Sequence, residues 1–156
     1  MVESDEGLLM ETTKSMLTKI IEKLHNAGYK LTPQREATIK IVLEKETEHM
    51  SAEEIYLAVK KRNSDIGLAT VYRTLEILSD IKVVNKISFD DGLARYDLKQ
   101  EGDKHFHHHL LCLKCGGIEE VFEDLLEDIE KDIEKRFDFQ VKDHRLTFHG
   151  TCKNCQ

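Results

Sequence analysis

Long hydrophobic runs are missing from this sequence. No apolar stretch approaches the ~20 residues that a membrane-spanning helix needs, and the chain does not open with a charged and then apolar signal segment. It has no low-complexity tract and no internal repeat beyond two CxxC pairs. We therefore expect a cytoplasmic protein with no membrane partner.

An overall excess of positive charge is also absent. The formal net charge is -7, which argues against a generic polyanion binder. The average conceals an asymmetry, because residues 14–45 carry 7 basic and 3 acidic side chains whereas residues 93–156 carry 10 basic and 14 acidic ones. A cationic front and an anionic back suit a protein that contacts phosphate with one end only.

The first 98 residues show helical spacing followed by strand alternation. After a loosely docked extension (1–13), we predict a first helix from Thr13 to Asn26, then helices behind N-caps at Thr32 and Ser51, and a fourth from Leu68 to about Asp80. A β-hairpin pattern follows. Helices followed by a hairpin are the order of a winged helix-turn-helix, which we assign as a DNA-binding domain over 1–98.

A polar stretch, 99–104, is the predicted linker to a second domain over 105–156. There we predict strands at 109–113 and 118–122, an amphipathic helix from Asp124 to Arg136, and a last strand pair at about 139–149. The fold class is α+β, with a small α/β dimerisation domain behind the winged helix. One helix on a small sheet leaves an exposed edge, which favours a homodimer.

Two CxxC pairs supply all four cysteines: Cys112, Cys115, Cys152 and Cys155. Each CxxC turn sets two thiolates on one side of a knuckle, and two such pairs complete a tetrahedral zinc site. In a cytoplasmic protein this pattern indicates Zn²⁺ rather than disulfides, with a redox CxxC or unrelated thiols as the alternatives. We predict a closed, structural Cys₄ zinc site that stabilises the second domain.

A histidine cluster, 105–109, precedes the first CxxC. Alternate side chains of a strand share a face, so His107 and His109 point away from His108, and one strand can serve two metal sites. The alternative is a solvated His-rich turn. His49, Asp97 and the Glu119-Glu120 pair are candidates to complete a site, although His49 or Asp97 taken alone is more typical of a surface residue. Imidazole with carboxylate suits Fe(II), Mn(II), Co(II) or Zn(II), and spacing does not choose among them.

The fourth predicted helix has an outward face suited to nucleic acid. If Val71, Leu75 and Leu78 are buried, the outward residues include Thr70, Tyr72 and Arg73. These side chains fit major-groove and phosphate contacts, and Lys30 can reach the backbone or minor groove from the side. A protein-interaction helix is the alternative.

Several stretches together resemble the ferric uptake regulator family of metal-dependent transcriptional repressors, most closely those of Gram-positive bacteria. They are Tyr29–Arg35, His49–Tyr56, Gly67–Leu75, His105–Cys115 and Asp143–Gly150. The resemblance implies a winged helix, a hinge and a dimerisation domain. It further implies a homodimer that binds a palindromic operator in double-stranded DNA and represses iron-uptake genes with Fe²⁺ as corepressor.

The resemblance also assigns metal ligands. The family's regulatory site, between the two domains, maps onto His49, Asp97, His107, His109 and Glu120. A second site maps onto His108, Glu127 and His144, with His105 standing in for a histidine that Phe106 replaces. We expect Fe²⁺ in the regulatory site, with Zn²⁺ or Mn²⁺ as possible replacements.

The sensed signal has alternatives. Glu120 favours iron sensing, since peroxide-sensing relatives that readily oxidise their histidines carry Asp there, whereas Asp97 is more typical of peroxide sensors. Zinc- or manganese-sensing members are further alternatives. Outside the family, the rivals are a mononuclear metalloenzyme and a zinc-stapled adaptor. The enzyme reading needs a deep pocket that 156 residues without Gly-rich loops do not suggest, so we predict a protein that is not an enzyme.

Overall fold

The computed structural model describes residues 4–46, 48–89, 92–99 and 108–156. The chain divides into two compact units, Met1–Lys99 and Gln100–Gln156. Because most of the predicted linker lies outside the described residues, its bounds and those of the flanking domains stay predictions. No helix in the described ranges is long and apolar enough to cross a membrane.

The described residues of the first unit form four helices and a small sheet. In chain order they are α1 (Ser4–Asn26), α2 (Pro33–Glu44), β1 (Met50–Ser51), α3 (Ala52–Lys60), α4 (Leu68–Asp80), β2 (Val84–Ser88) and β3 (Ala94–Leu98). β3 lies between β1 and β2 and is antiparallel to both. The helices followed by this hairpin confirm the predicted winged helix-turn-helix. The first helix, which was predicted to begin at Thr13, begins at Ser4 instead.

Local capping explains where α2 and α3 begin. The Thr32 hydroxyl accepts a hydrogen bond from the Arg35 N–H at 3.2 Å, with Pro33 in the first turn. Ser51 and Glu54 form a reciprocal capping box, with bonds of 3.3 Å and 2.7 Å. α3 is therefore fixed to the end of β1, which is short but anchored to β3.

The core of the first unit lies under α4. Val71, Leu75 and Leu78 are each 0% exposed, as the i, i+4, i+7 spacing predicts. They pack with buried side chains from the other helices and strands: Leu24, Ile39, Ile55, Val59, Val84 and Tyr96. The opposite face of α4 is consequently left to solvent.

In the second unit, residues 108–156 form a three-stranded sheet and one helix. Its elements are β4 (His108–Cys112), β5 (Ile118–Val121), α5 (Glu127–Phe137) and β6 (Thr147–Gly150). β4 is the central strand, antiparallel to β5 and parallel to β6. The α+β class is confirmed. The predicted strand pair over 139–149 was wrong, since residues 138–146 contain no strand; a parallel neighbour requires a crossover connection rather than a hairpin.

The apolar core of the second unit is small. Among its described residues, only Leu111 and Cys112 are buried apolar side chains. Large apolar side chains on its surface include Leu113, Phe122, Phe137, Phe139 and Phe148. Burial of this kind supplies little stabilisation to a small domain, which therefore needs a metal, a partner or both.

Candidate metal centres and nucleic-acid interface

The four cysteines converge because of the register between two parallel strands. Cys112 at the end of β4 pairs with Gly150 at the end of β6, and the Leu113 N–H donates to the Gly150 carbonyl at 2.8 Å. The two CxxC turns that follow these strands thus emerge side by side. The structure brings together all four cysteines that the sequence nominated.

The sulfur geometry fits a tetrahedral metal ion. All four Sγ atoms lie within 4.8 Å of one another, and Cys115 Sγ is 3.9 Å from Cys152 Sγ. Four thiolates around Zn²⁺ with bonds of about 2.3 Å have edges of about 3.8 Å. The donor set and its spacing therefore fit zinc.

The pKa values of two of these thiols are shifted in opposite directions. Hydrogen bonds from backbone N–H groups, that of Cys152 first, lower the pKa of Cys112 to about 6, and the Cys152 N–H lies 3.4 Å from its sulfur. Interactions with the neighbouring Cys152 and Cys115 side chains raise the pKa of Cys155 to about 12. The Cys155 thiol resists ionisation beside the other sulfurs, so its ionisation to a metal-binding thiolate requires a cation at the centre of the cluster.

In the first unit, an imidazole and a carboxylate form a buried pair. The Nδ1 atom of His49 is 2.9 Å and 2.8 Å from the two carboxylate oxygens of Asp97. The strand register brings the two side chains together, because Met50 pairs with Tyr96 in the β1–β3 register. His49 directly precedes Met50, and Asp97 directly follows Tyr96. In the sequence, each residue taken alone is typical of a surface position. The strand register brings them together as a candidate pair of metal ligands.

In the second unit, His109 and Glu120 are directly opposite each other on β4 and β5. Side chains at such paired positions project from the same face of the sheet. They supply a second combination of imidazole and carboxylate. His107, the remaining predicted regulatory ligand, lies outside the described residues.

A different face of β4 contributes to a third cluster. His108 is 1% exposed, and its ring centroid is 5.4 Å from that of His144. An Asp124 carboxylate oxygen lies 4.0 Å from His108 Nε2 and 3.9 Å from His144 Nε2. One donor atom of each residue lies within 4.8 Å of the others, a two-imidazole, one-carboxylate set suited to a divalent transition metal.

The carboxylates at this cluster differ from the predicted one. Glu127 is not brought to the histidines, because its carboxylate pairs with Lys131 at 2.7 Å on the surface of α5. Asp124, in the turn ahead of α5, takes that place, and Glu130 forms a hydrogen bond with His144 Nδ1. The sequence reasoning missed Asp124 because it placed this residue at the start of the helix. His105 lies outside the described residues.

Three of the four predicted DNA-reading residues lie on the solvent side of α4. Arg73 is exposed, Thr70 and Tyr72 are half-buried, and Lys30 is exposed ahead of α2. The Tyr72 hydroxyl donates a hydrogen bond to the carboxylate of Glu53 on α3. This contact between the two helices was not apparent from the sequence.

Comparison with known proteins supplies the decisive observation. The model of the ferric uptake regulator family matches residues 26–149. The chain belongs to this family. It is 57% identical over 142 residues to the ferric uptake regulation protein of Bacillus subtilis (strain 168), covering 91% of this chain and 95% of that protein.

Two further relatives place the chain within the family. The peroxide-responsive repressor PerR of Staphylococcus saprophyticus is 34% identical over 147 residues, covering 94% of this chain and 96% of that protein. The solved structure of the ferric uptake regulator from Francisella tularensis with iron is 29% identical, with a TM-score of 0.73, covering 82% of this chain and 95% of that one. The family resemblance is confirmed, and the chain is a metal-dependent repressor of the ferric uptake regulator type.

Proposed function

We propose that this protein is a cytoplasmic, homodimeric repressor that binds a palindromic operator in its Fe(II)-bound form, controls iron-uptake genes and is not an enzyme. The observation that carries the proposal is the His49–Asp97 pair, at 2.8 Å. It places two side chains that can bind metal in the winged unit, Asp97 on β3 and His49 directly before β1. A metal that engages this pair acts directly on the DNA-binding part of the chain.

The proposed regulatory site joins this pair to ligands from the second unit. His107, His109 and Glu120 supply the remaining donors, and an ion that takes ligands from both units restricts the angle between them. Repression then depends on metal by linkage, because the metal must bind the DNA-competent arrangement better than the others, typically by about 1–3 kcal/mol. A separate Zn²⁺ bound by the four cysteines stabilises the second unit, which carries these ligands.

Iron is favoured over peroxide as the signal by two observations. The chain is 57% identical to a ferric uptake regulation protein but 34% identical to a peroxide-responsive repressor. Glu120, rather than Asp, lies on β5 opposite His109. Zn²⁺ or Mn²⁺ as the sensed ion is the alternative, and a panel of metals distinguishes them.

A second metal site is proposed on His108 and His144. Their 5.4 Å ring separation supports it. Asp124 is the carboxylate that the geometry favours over the predicted Glu127, and His105 stays a candidate. The three donors His108, His144 and Asp124 all come from the second unit.

The operator contacts are assigned to Lys30, Thr70, Tyr72 and Arg73. Three of them lie on α4, whose opposite face is entirely buried. The exposed phenylalanines of the second unit support the homodimer, because a partner copy would remove them from water. Two copies of α4 in a symmetric dimer suit a palindromic site.

Operator binding measured against added metal tests the proposal. The probe is a duplex selected from a random pool by the Fe(II)-loaded protein, and its fluorescence anisotropy is followed under anaerobic conditions with Fe(II), Mn(II), Zn(II) or none. We expect Fe(II) to raise affinity at least about tenfold, as a coupling of 1.4 kcal/mol or more requires. His49→Ala is expected to abolish that rise while it keeps the dimer and the zinc.

The matched control is His25→Ala, which removes an exposed histidine of α1 in the same unit and is expected to behave as wild type. Equal operator affinity with and without every metal contradicts the proposal. Loss of the dimer in His49→Ala would instead make His49 a structural residue.

A further inference from the structure

The hydroxyl of Tyr72 is tied to a residue on the neighbouring helix. It donates a hydrogen bond to Glu53, in the first turn of α3. The capping box at Ser51 and Glu54 holds that turn in place, and a carboxylate in a first turn is also favoured by the helix dipole. The acceptor of the hydrogen bond is therefore presented from an anchored position, not from a loop.

The electrostatics of both partners reflect this bond. The hydrogen bond to Tyr72 lowers the pKa of Glu53, and the same bond raises the pKa of Tyr72 above its usual value. Burial, Glu76 and Glu53 raise the pKa of the nearby Tyr96. At neutral pH the pair is thus a carboxylate and a neutral phenol.

The bond limits what Tyr72 can offer to DNA. A phenol has one hydrogen to donate, and here the carboxylate already receives it. What remains is the aromatic ring and the oxygen lone pairs, held in one orientation on the solvent side of α4. A ring that is already fixed loses less conformational entropy on binding than a free one.

We propose that Glu53 is a positioning residue for operator recognition, which holds the Tyr72 ring in the orientation that reads the operator. The inference rests on the proposed function as a DNA-binding repressor. Electrostatic repulsion alone predicts a different result, because a carboxylate near DNA repels phosphates and its removal should strengthen binding to every duplex equally. If Glu53 positions Tyr72, its removal should instead reduce the preference for the operator over other sequences.

The test compares four Fe(II)-loaded proteins: wild type, Glu53→Ala, Glu53→Gln and Tyr72→Phe. Each binds the selected duplex and a shuffled duplex of the same composition, and the ratio of the two affinities is the readout. Glu53→Ala and Tyr72→Phe are each expected to lower that ratio about 3- to 10-fold, the scale of freeing one side chain. Glu53→Gln keeps an acceptor oxygen and is expected to restore most of the ratio.

The double variant Glu53→Ala/Tyr72→Phe decides whether the two residues act through one bond. If they do, it loses no more than either single variant. NMR titration of the tyrosine ring carbons gives a second readout, in which Glu53→Ala lowers the pKa of Tyr72 towards its usual value. A helix that is merely destabilised would not produce this selective change.

Two results would overturn the inference. One is an unchanged affinity ratio in Glu53→Ala; if Glu53→Ala and Glu53→Gln both bind the two duplexes more tightly by the same factor, repulsion alone is acting. The other is additive losses in the double variant. Failure of the proposed function is seen separately, as a wild-type protein that does not distinguish the two duplexes even though Tyr72 titrates as described.

Discussion

Removal of the metal from the four-cysteine cluster is expected to unfold the second unit and leave the first unit folded. The second unit contains about 57 residues, and a typical stability of 0.05–0.15 kcal/mol per residue gives about 3–9 kcal/mol in total. Structural zinc contributes about 10–16 kcal/mol in small domains at neutral pH. The metal term exceeds the whole expected stability, so a unit with a very small buried apolar core should not survive its loss.

Residue-resolved hydrogen exchange measures this outcome. After chelation, or in Cys155→Ser, the amides of β4 and β6 should lose protection, while those of Val71, Leu75 and Leu78 keep it. The matched control is Asn154→Ser, which changes the exposed neighbour inside the same CxxC turn and should leave protection unchanged. Equal protection of β4 with and without metal would refute the reasoning, because apolar burial or the dimer would then suffice.

Two further predictions concern packing and the second metal site. Leu78→Ala, on the buried face of α4, should lower the free energy of unfolding of the first unit by about 2–5 kcal/mol in denaturant unfolding. The control Leu57→Ala, at a leucine that is 58% exposed on α3, should change that free energy by no more than about 0.5 kcal/mol. Equal effects would contradict the assigned core. Asp124→Asn should weaken Mn(II) binding at the second site by at least about tenfold in calorimetric titration. Glu127→Gln loses only an exposed ion pair and should leave Mn(II) affinity unchanged. Weaker binding in Glu127→Gln but not in Asp124→Asn would favour Glu127 as the ligand, as the sequence predicted.

Much of the first unit could be predicted because its signals are local. Thr32 and the Ser51–Glu54 box mark helix starts through contacts three residues apart, and the spacing of Val71, Leu75 and Leu78 gives the buried face directly. The four-cysteine site could be predicted in the same way, since CxxC spacing places two thiols on one side of a tight turn. Capping and periodicity do not depend on distant parts of the chain.

The features that escaped prediction depend on tertiary contacts. Whether His49 is a surface residue or a partner of Asp97 is decided by the β1–β3 register, which joins residues 48 positions apart. Asp124 lies in the turn beside His108 and His144 because α5 begins at Glu127, three residues later than the apolar pattern predicts. The Glu53–Tyr72 bond needs the packing of α3 against α4. Residues 138–146 form a connection and not the predicted strand, because β6 pairs in parallel with β4. No local sequence pattern indicates that parallel pairing.

The central claim is that metal and operator bind to one shared arrangement of the protein. Linkage requires the effect to be reciprocal: if Fe(II) raises operator affinity by a given factor, operator must raise Fe(II) affinity by the same factor. The most direct measurement is an anaerobic Fe(II) titration of the zinc-loaded dimer with and without saturating selected duplex. We predict a tighter Fe(II) constant with the duplex, by the factor found in the anisotropy experiment and lost in His49→Ala. An Fe(II) affinity that does not change when the duplex is added would contradict the account.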